Sequence, residues 1–254
     1  MEPRYGRLYA SAVLRPLAEQ VVDALDVHQG ETACDLMCDG GTLGLALGSA
    51  VGGTGRVVLV DTDAELLTAA MAEVSATGCK VSTHLAAAGA VSTLDDASFD
   101  RVASLCTYGF WDGGSMLDAA KRAMCPAGRA AVLTWDVAHP PAHEAVLVEA
   151  LRDVAGIESP FLTRCLASPE AERSQRWDAV AVHDVVRFDG IAEYWTAMVV
   201  ERPLVRDLED QADGVIAAVR DACQRALLPS TAADGTMRIP VSARLWCSRP
   251  EGGA

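Results

Sequence analysis

An alternation of short β-rich runs with stretches of helical composition constrains this chain more than any other feature of its sequence. Residues 32–37, 56–60, 79–85, 99–106 and 129–135 read as strands, and residues 43–50, 64–76 and 115–124 carry the spacing of helices between them. Helices that join successive strands make those strands parallel, with right-handed crossovers and helices on both faces of the sheet. In front of this series, Leu14, Leu17, Val21, Val22 and Leu25 recur at helical spacing within residues 8–27 and define an amphipathic opening helix. The rhythm changes after Pro140. Residues 143–155 read as helix, 159–178 as irregular chain with a charged middle, 179–188 as a strand, 191–200 and 204–228 as helices, and 237–247 as a closing strand. No internal repeat is visible, and residues 251–254 read as a loose tail.

Charge narrows the classes of partner. Lys and Arg number 21 against 35 Asp and Glu, a formal net charge of −14, which disfavours attraction to phosphate backbones and anionic lipid. We therefore expect a small-molecule substrate, no nucleic acid and no membrane, with a homodimer or association with a pathway enzyme left open. No apolar run reaches the roughly 20 residues that span a bilayer, and the first 20 residues carry charges where a signal peptide is apolar. The expectation is a cytoplasmic protein. Eight cysteines are scattered through apolar runs, the pattern of free thiols in a reducing compartment. Cys34 and Cys38 lack a second pair at zinc-like spacing, and Pro140 and Pro141 break the helix that would align His139 with His143, so no metal is expected.

Four local sequences point one way. Cys34-Asp35-Leu36-Met37-Cys38-Asp39-Gly40-Gly41 is a glycine-bearing turn after the first strand, and Gly55 to Asp63 is a second strand ending in acidic residues. Asp96 to Val102 leads into the fourth strand, and Cys125-Pro126-Ala127-Gly128-Arg129 turns into the fifth. In this combination the chain resembles the class I S-adenosylmethionine-dependent methyltransferases that act on small molecules. Within them it is most similar to the ubiquinone/menaquinone-type C-methyltransferase relatives of bacterial natural-product pathways. The resemblance implies an α/β fold: a single domain over residues 1–254, with a seven-stranded, mostly parallel Rossmann-like sheet whose last strand is antiparallel. It also implies a helical cap at about 156–178 and 190–229.

The same resemblance implies S-adenosylmethionine as cofactor, held by Asp35, Met37, Asp39, Gly40, Gly41, Asp61, Thr62, Ala87 and Cys106. A turn that opens a helix presents backbone N–H groups and the positive end of the helix dipole to a ligand. Asp61, twenty residues after Gly41, suits a carboxylate that accepts ribose hydroxyls, while Asp35 fits that site or a local bond to turn amides equally well. Catalytic candidates are His139, Asp136 and Tyr108, with His139 as general base. Trp111, Phe110, Trp135, Tyr194 and Trp195 are the substrate-contact candidates, with Asp112 beside them, and the three tryptophans fit core packing as readily.

The turn departs from the family pattern. Asp39 stands where the family has a glycine against the methionine part of the cofactor, Gly40 replaces a threonine, and Met37 replaces a small residue. Gly41 and Gly44 keep the pattern. After the third strand, Leu85-Ala86-Ala87-Ala88-Gly89 offers no carboxylate for an adenine amino group. Two readings stay level: a methyltransferase with an unusual cofactor grip, or a descendant without methyl transfer, either a cyclase of a biosynthetic pathway or a non-catalytic partner subunit. The segment from Asp39 to Gly44 also fits a nicotinamide-binding turn, but such proteins usually lack the helical insert and antiparallel closing strand.

Overall fold

A computed structural model describes residues 6–86, 94, 97–110, 115–167 and 177–248. The opening helix α1 runs continuously through residues 7–25, with a wider π-helical stretch at Ala10–Leu14. It stops at Asp26, whose left-handed φ of 54° ends the hydrogen-bond series. Then follow β1 (Thr32–Leu36), α2 (Thr42–Val51), β2 (Arg56–Asp61), α3 (Ala64–Ser75) and β3 (Lys80–Leu85). The alternation goes on through β4 (Phe99–Leu105), α4 (Met116–Ala123), β5 (Met124–Trp135) and α5 (residues 142–155).

The seven strands form one sheet in the order β3-β2-β1-β4-β5-β7-β6, where β6 is Trp177–Phe188 and β7 is Met237–Ser248. The pairings β1–β2, β1–β4, β2–β3 and β4–β5 are parallel, whereas β7 runs antiparallel to both β5 and β6. The parallel sheet and its antiparallel closing strand are thus as expected.

Side chains of the central strands alternate between two cores. Ala33, Val57, Leu59, Ala103, Leu105, Ala131 and Leu133 face one side, with α1, α2 and α3 over them. Cys34, Leu36, Val58, Val60, Val102, Ala130 and Val132 face the other, covered by Met116, Leu117, Ala120 and Ala123 of α4. Because both faces are covered, these strands read as continuous apolar runs.

Three stretches differ from expectation. A short helix α6 (Pro160–Cys165) lies inside the stretch read as irregular; Ser159 caps it by accepting the Leu162 amide, and Pro160 is preset for its first position. The helix expected over 204–228 is two, α8 (Val205–Leu208) and α9 (Asp213–Leu227), because Ala212 is extended (ψ 145°). Strand β5 begins at Met124 instead of Arg129: Met124 pairs with Phe99 and Arg129 with Arg101, so the Pro126/Gly128 turn bulges out of the strand. Helix α7 spans residues 191–200. Among the described residues no helix is long and apolar enough to cross a membrane.

Candidate functional site

The carboxyl ends of β1, β2 and β4 meet at the turn that follows β1. Met37 and Asp39 both adopt left-handed backbone, with φ of 57° and 48°, and Gly41 follows at 86°. Only glycine takes that region without penalty; asparagine and aspartate tolerate it, and a long side chain costs about 1 kcal/mol or more. Neighbouring strands hold the turn there. The Cys38 amide donates to the Val60 carbonyl (3.0 Å), the Gly41 amide to the Cys38 carbonyl (2.8 Å), and the Asp39 amide to Asp61 Oδ2 (3.0 Å).

Packing accounts for Gly41 and Gly44. A Cβ on Gly41 would lie 3.0 Å from the Ala70 Cα and Cβ, and one on Gly44 would lie 2.6 Å from Leu59 Cδ2 and 3.2 Å from Asp35 Oδ2. Both let α2 approach α3 and the sheet, so this chain needs them whatever it binds. At Gly40, nothing lies within 4 Å of such a Cβ.

The two non-glycine side chains with left-handed backbone are both buried. Met37 is 2% exposed and belongs to the core cluster of Val60, Ala86 and Leu94. Asp39, 6% exposed, borders a cavity of about 10 Å³ together with Leu14, Asp35, Met37, Thr42, Leu105 and Thr107. That volume admits about one water, whereas ligand pockets measure roughly 300–1,000 Å³. Asp61 has no exposed surface: Oδ1 accepts the Thr62 and Asp63 amides (2.8 and 3.2 Å), and Oδ2 accepts that of Asp39. Asp63 in turn caps α3, accepting the Glu65 and Leu66 amides. Cys106, left-handed (φ 55°) and buried at the end of β4, has its thiol pushed well up by burial, then by Cys165 and Glu144.

Asp136 and His139 sit apart from this turn. His139 Nδ1 lies 3.2 Å from Asp136 Oδ2, Arg244 Nε donates to Asp136 Oδ1 (3.1 Å), and the imidazole is mostly exposed. Burial raises the Asp136 carboxyl, but hydrogen bonds from His139, Arg244 and the Ala138 amide outweigh it and hold the group below its usual range. Phe110 rests against Phe161, with ring centroids 5.6 Å apart, and beneath the Arg164 guanidinium. The backbone of Tyr108 forms a single helical turn with Phe110. Ala87, Trp111 and Asp112, together with the Tyr108 side chain, lie outside the described residues.

Beneath the helices that follow β5 lies a polar cluster that the sequence did not announce. Tyr9, His143, Glu144 and Arg202 all have no exposed surface. Arg202 Nη1 stands 3.1 Å and 3.2 Å from the two Glu144 oxygens, and its guanidinium lies over the rings of Tyr9 (4.6 Å) and Phe161 (5.0 Å). The Tyr9 hydroxyl donates to Glu144 Oε1 at 2.7 Å and lies 3.3 Å from His143 Nε2. Two of the expected substrate contacts join it: the Tyr194 hydroxyl donates to the His143 carbonyl (2.7 Å), and Trp135 meets the His143 ring edge-on at 5.5 Å. Burial resists ionisation of Glu144, yet Arg202, His143 and the Tyr9 hydroxyl bring its carboxyl below the ordinary value. Desolvation lowers His143 to about 4, with Arg202 adding to the effect and Glu144 opposing it. Trp195, 9% exposed, packs in the same core.

Residues 15–154 match the family described as the ubiE/COQ5 methyltransferase family. The chain belongs to it. Structural similarity extends further along the chain. A proposed type II methyltransferase from Anaeromyxobacter dehalogenans is 16% identical over 98% of both chains, with a TM-score of 0.58. A methyltransferase from Thiobacillus denitrificans, solved with S-adenosyl-L-homocysteine, is 16% identical over 95% of this chain and 97% of that one, with a TM-score of 0.50. At such identities the likeness is one of fold. Against a methyltransferase from Aquifex aeolicus (22% identity, TM-score 0.41), the match covers 47% of this chain and spans 64% of the other. No curated protein sequence matches the chain.

The family binds S-adenosylmethionine. In this chain the turn that would receive it carries the buried side chains of Met37 and Asp39, with about 10 Å³ beside Asp39, while a cleft of about 670 Å³ lined by Gly40, Gly41, Thr42, Glu65 and Leu66 together with residues of α1 borders the same turn.

Proposed function

We propose that this chain is a member of the ubiE/COQ5 methyltransferase family that has given up methyl transfer and serves as a non-catalytic partner of an enzyme in small-molecule, natural-product metabolism. One observation carries this reading. Gly41 and Gly44, where a Cβ would strike protein, are kept; positions 37 and 39, left-handed like Gly41, carry methionine and aspartate. Selection for a bound adenosyl group would bar side chains there. Selection for the fold alone would not. The buried state of Trp135 and Tyr194 weighs against a cyclase, which needs aromatic walls open to its substrate.

The second reading is a working transferase acting on a small, largely apolar natural-product intermediate. What favours it is Asp61, which still ends β2 and still ties the turn to that strand through the Asp39 amide. Calorimetric titration of the protein with S-adenosylmethionine and S-adenosylhomocysteine separates the two. The first reading expects no binding heat. Saturable binding that disappears in Asp61→Ala would overturn it in favour of the second.

A further inference from the structure

Strands β6 and β7 have one covered face and one open face. Val182, Val186 and Phe188 of β6, with Ile239 and Val241 of β7, belong to the first core, where α1, α5 and α7 lie against them. Alternation turns the odd-numbered residues of 179–187 and the even-numbered residues of 238–244 to the other side of the sheet. On that side α4 packs over β4 and β5, and Trp177 and Trp246 end the second core. Beyond them the β6 side chains are exposed, from Ala179 through Arg187.

The open face is basic in an acidic chain. It carries Arg187, Arg238, Arg244 and His183 and, over these stretches, no carboxylate, although acidic residues outnumber basic ones 35 to 21 in the whole. Asp178 and Asp184 of the same strand face the opposite side, where Gln20 of α1 donates to Asp184 (2.9 Å). Arg187 and Arg238 stand directly across from each other, and like charges so placed repel. Asp189 takes Arg187 and Asp136 takes Arg244, each at 3.1 Å and each from beyond these stretches, whereas Arg238 makes no ion pair among the described residues. Next to the arginine pair, Val185, 54% exposed, lies opposite Pro240 and forms an apolar step between the cations.

We propose that this face receives an acidic amphipathic helix of a partner protein, its carboxylates on Arg187, Arg238 and Arg244 and its small apolar residues on Val185 and Pro240. The inference rests on the reading of the chain as a non-catalytic partner and names the surface and the chemistry of that association. From Arg238 to Arg244 the strand spans roughly 20 Å, the length of about thirteen helical residues. A helix would lie there as α4 does on the same side of the sheet. A second copy does not fit, because a twofold pairing of this face sets arginines against arginines. Nucleic acid and anionic lipid are repelled by the net charge of −14.

The test puts the photo-crosslinking residue p-benzoylphenylalanine in place of Val185 in the full chain, irradiates it in an extract of the cells that make the protein, and sequences the joined peptides by mass spectrometry. The expected product is one other protein, joined through a segment rich in Asp and Glu at helical spacing. Its yield should fall at least about tenfold in Arg187→Glu/Arg238→Glu, where like charges then face each other. It should fall likewise at about 1 M salt, where the screening length is about 3 Å. If that variant does not fold by circular dichroism, Arg187→Ala/Arg238→Ala replaces it under the same criterion. The same photo-residue in place of Val154, exposed on α5, should not give the product. Gel filtration of the extract separates two failures. A chain that elutes in a larger complex overturns the surface alone if it gives no such product or one indifferent to both charge changes. Joining to a neutral or basic segment, to nucleic acid or to a second copy does the same. A chain that elutes as a monomer overturns the surface and the partner reading together.

Discussion

Two regions at the carboxyl ends of the strands have taken opposite courses. The turn after β1 is demanding in its backbone, with Met37 and Asp39 in left-handed conformations that glycine would adopt more easily. The cluster of Tyr9, His143, Glu144 and Arg202 is the reverse: ordinary backbone, demanding side chains, each charge met by another. A buried ion pair tolerates little, since losing either member strands the other.

The largest effect should come from the second region. Arg202→Ala leaves Glu144 buried and unmatched, and urea denaturation should record a loss of about 3–5 kcal/mol. Glu144→Leu combined with Arg202→Met should cost much less than either single change. If the double change costs as much as the single ones, the cluster is not held together by its charges.

The pH dependence probes the same region. His143 titrates at about 4 in the native chain against its ordinary 6.5, so between those values the unfolded chain takes up a proton that the native one refuses. Stability is then fully present above about pH 6.5 and falls as pH drops toward 4, by about 3 kcal/mol in all. His143→Gln should flatten that slope in melting curves between pH 7 and pH 5. Glu144, held low chiefly by Arg202, adds a further loss only at more acid pH. A slope unchanged in the variant would mean that His143 is not the group responsible.

Gly41→Ala addresses the first region. At φ 86° and 3.0 Å from Ala70, the new methyl should cost about 2 kcal/mol, since alanine at positive φ is destabilising even without a clash. A neutral result would mean that α2 and α3 separate easily, and that Gly41 was kept for some reason other than packing. Smallest of all, His139→Ala should change stability by less than about 0.5 kcal/mol, because its imidazole is mostly exposed and Asp136 keeps Arg244 as a partner.

The parallel sheet and its antiparallel last strand were legible because both follow from local signals: apolar runs bounded by turns, and helices at regular intervals. Asp39 and Met37 were legible as departures from the family's turn, and the structure adds that both take left-handed backbone. The break between α8 and α9 was hidden, since Glu209, Asp210 and Gln211 are compatible with helix and only the extended Ala212 interrupts it. Helix α6 lay beside a charged stretch, although Ser159-Pro160 was a start signal in plain view. The polar cluster was hidden for another reason. Tyr9, Glu144 and Arg202 stand up to 193 positions apart, and no periodicity links residues that only the tertiary fold brings together. Arg202 follows Met198, Val199 and Val200 in a largely apolar stretch, and that setting was the one available hint.

Strand β7 slots between β5 and β6, although it comes after both in the chain. During synthesis, a nascent polypeptide that has cleared the ribosome only as far as residue 236 would hold β6 with nothing to pair with. Completion of the sheet therefore waits on β7, and a ribosome that stalls just short of it would leave two strand edges with unpaired backbone open to aggregation or to chaperones.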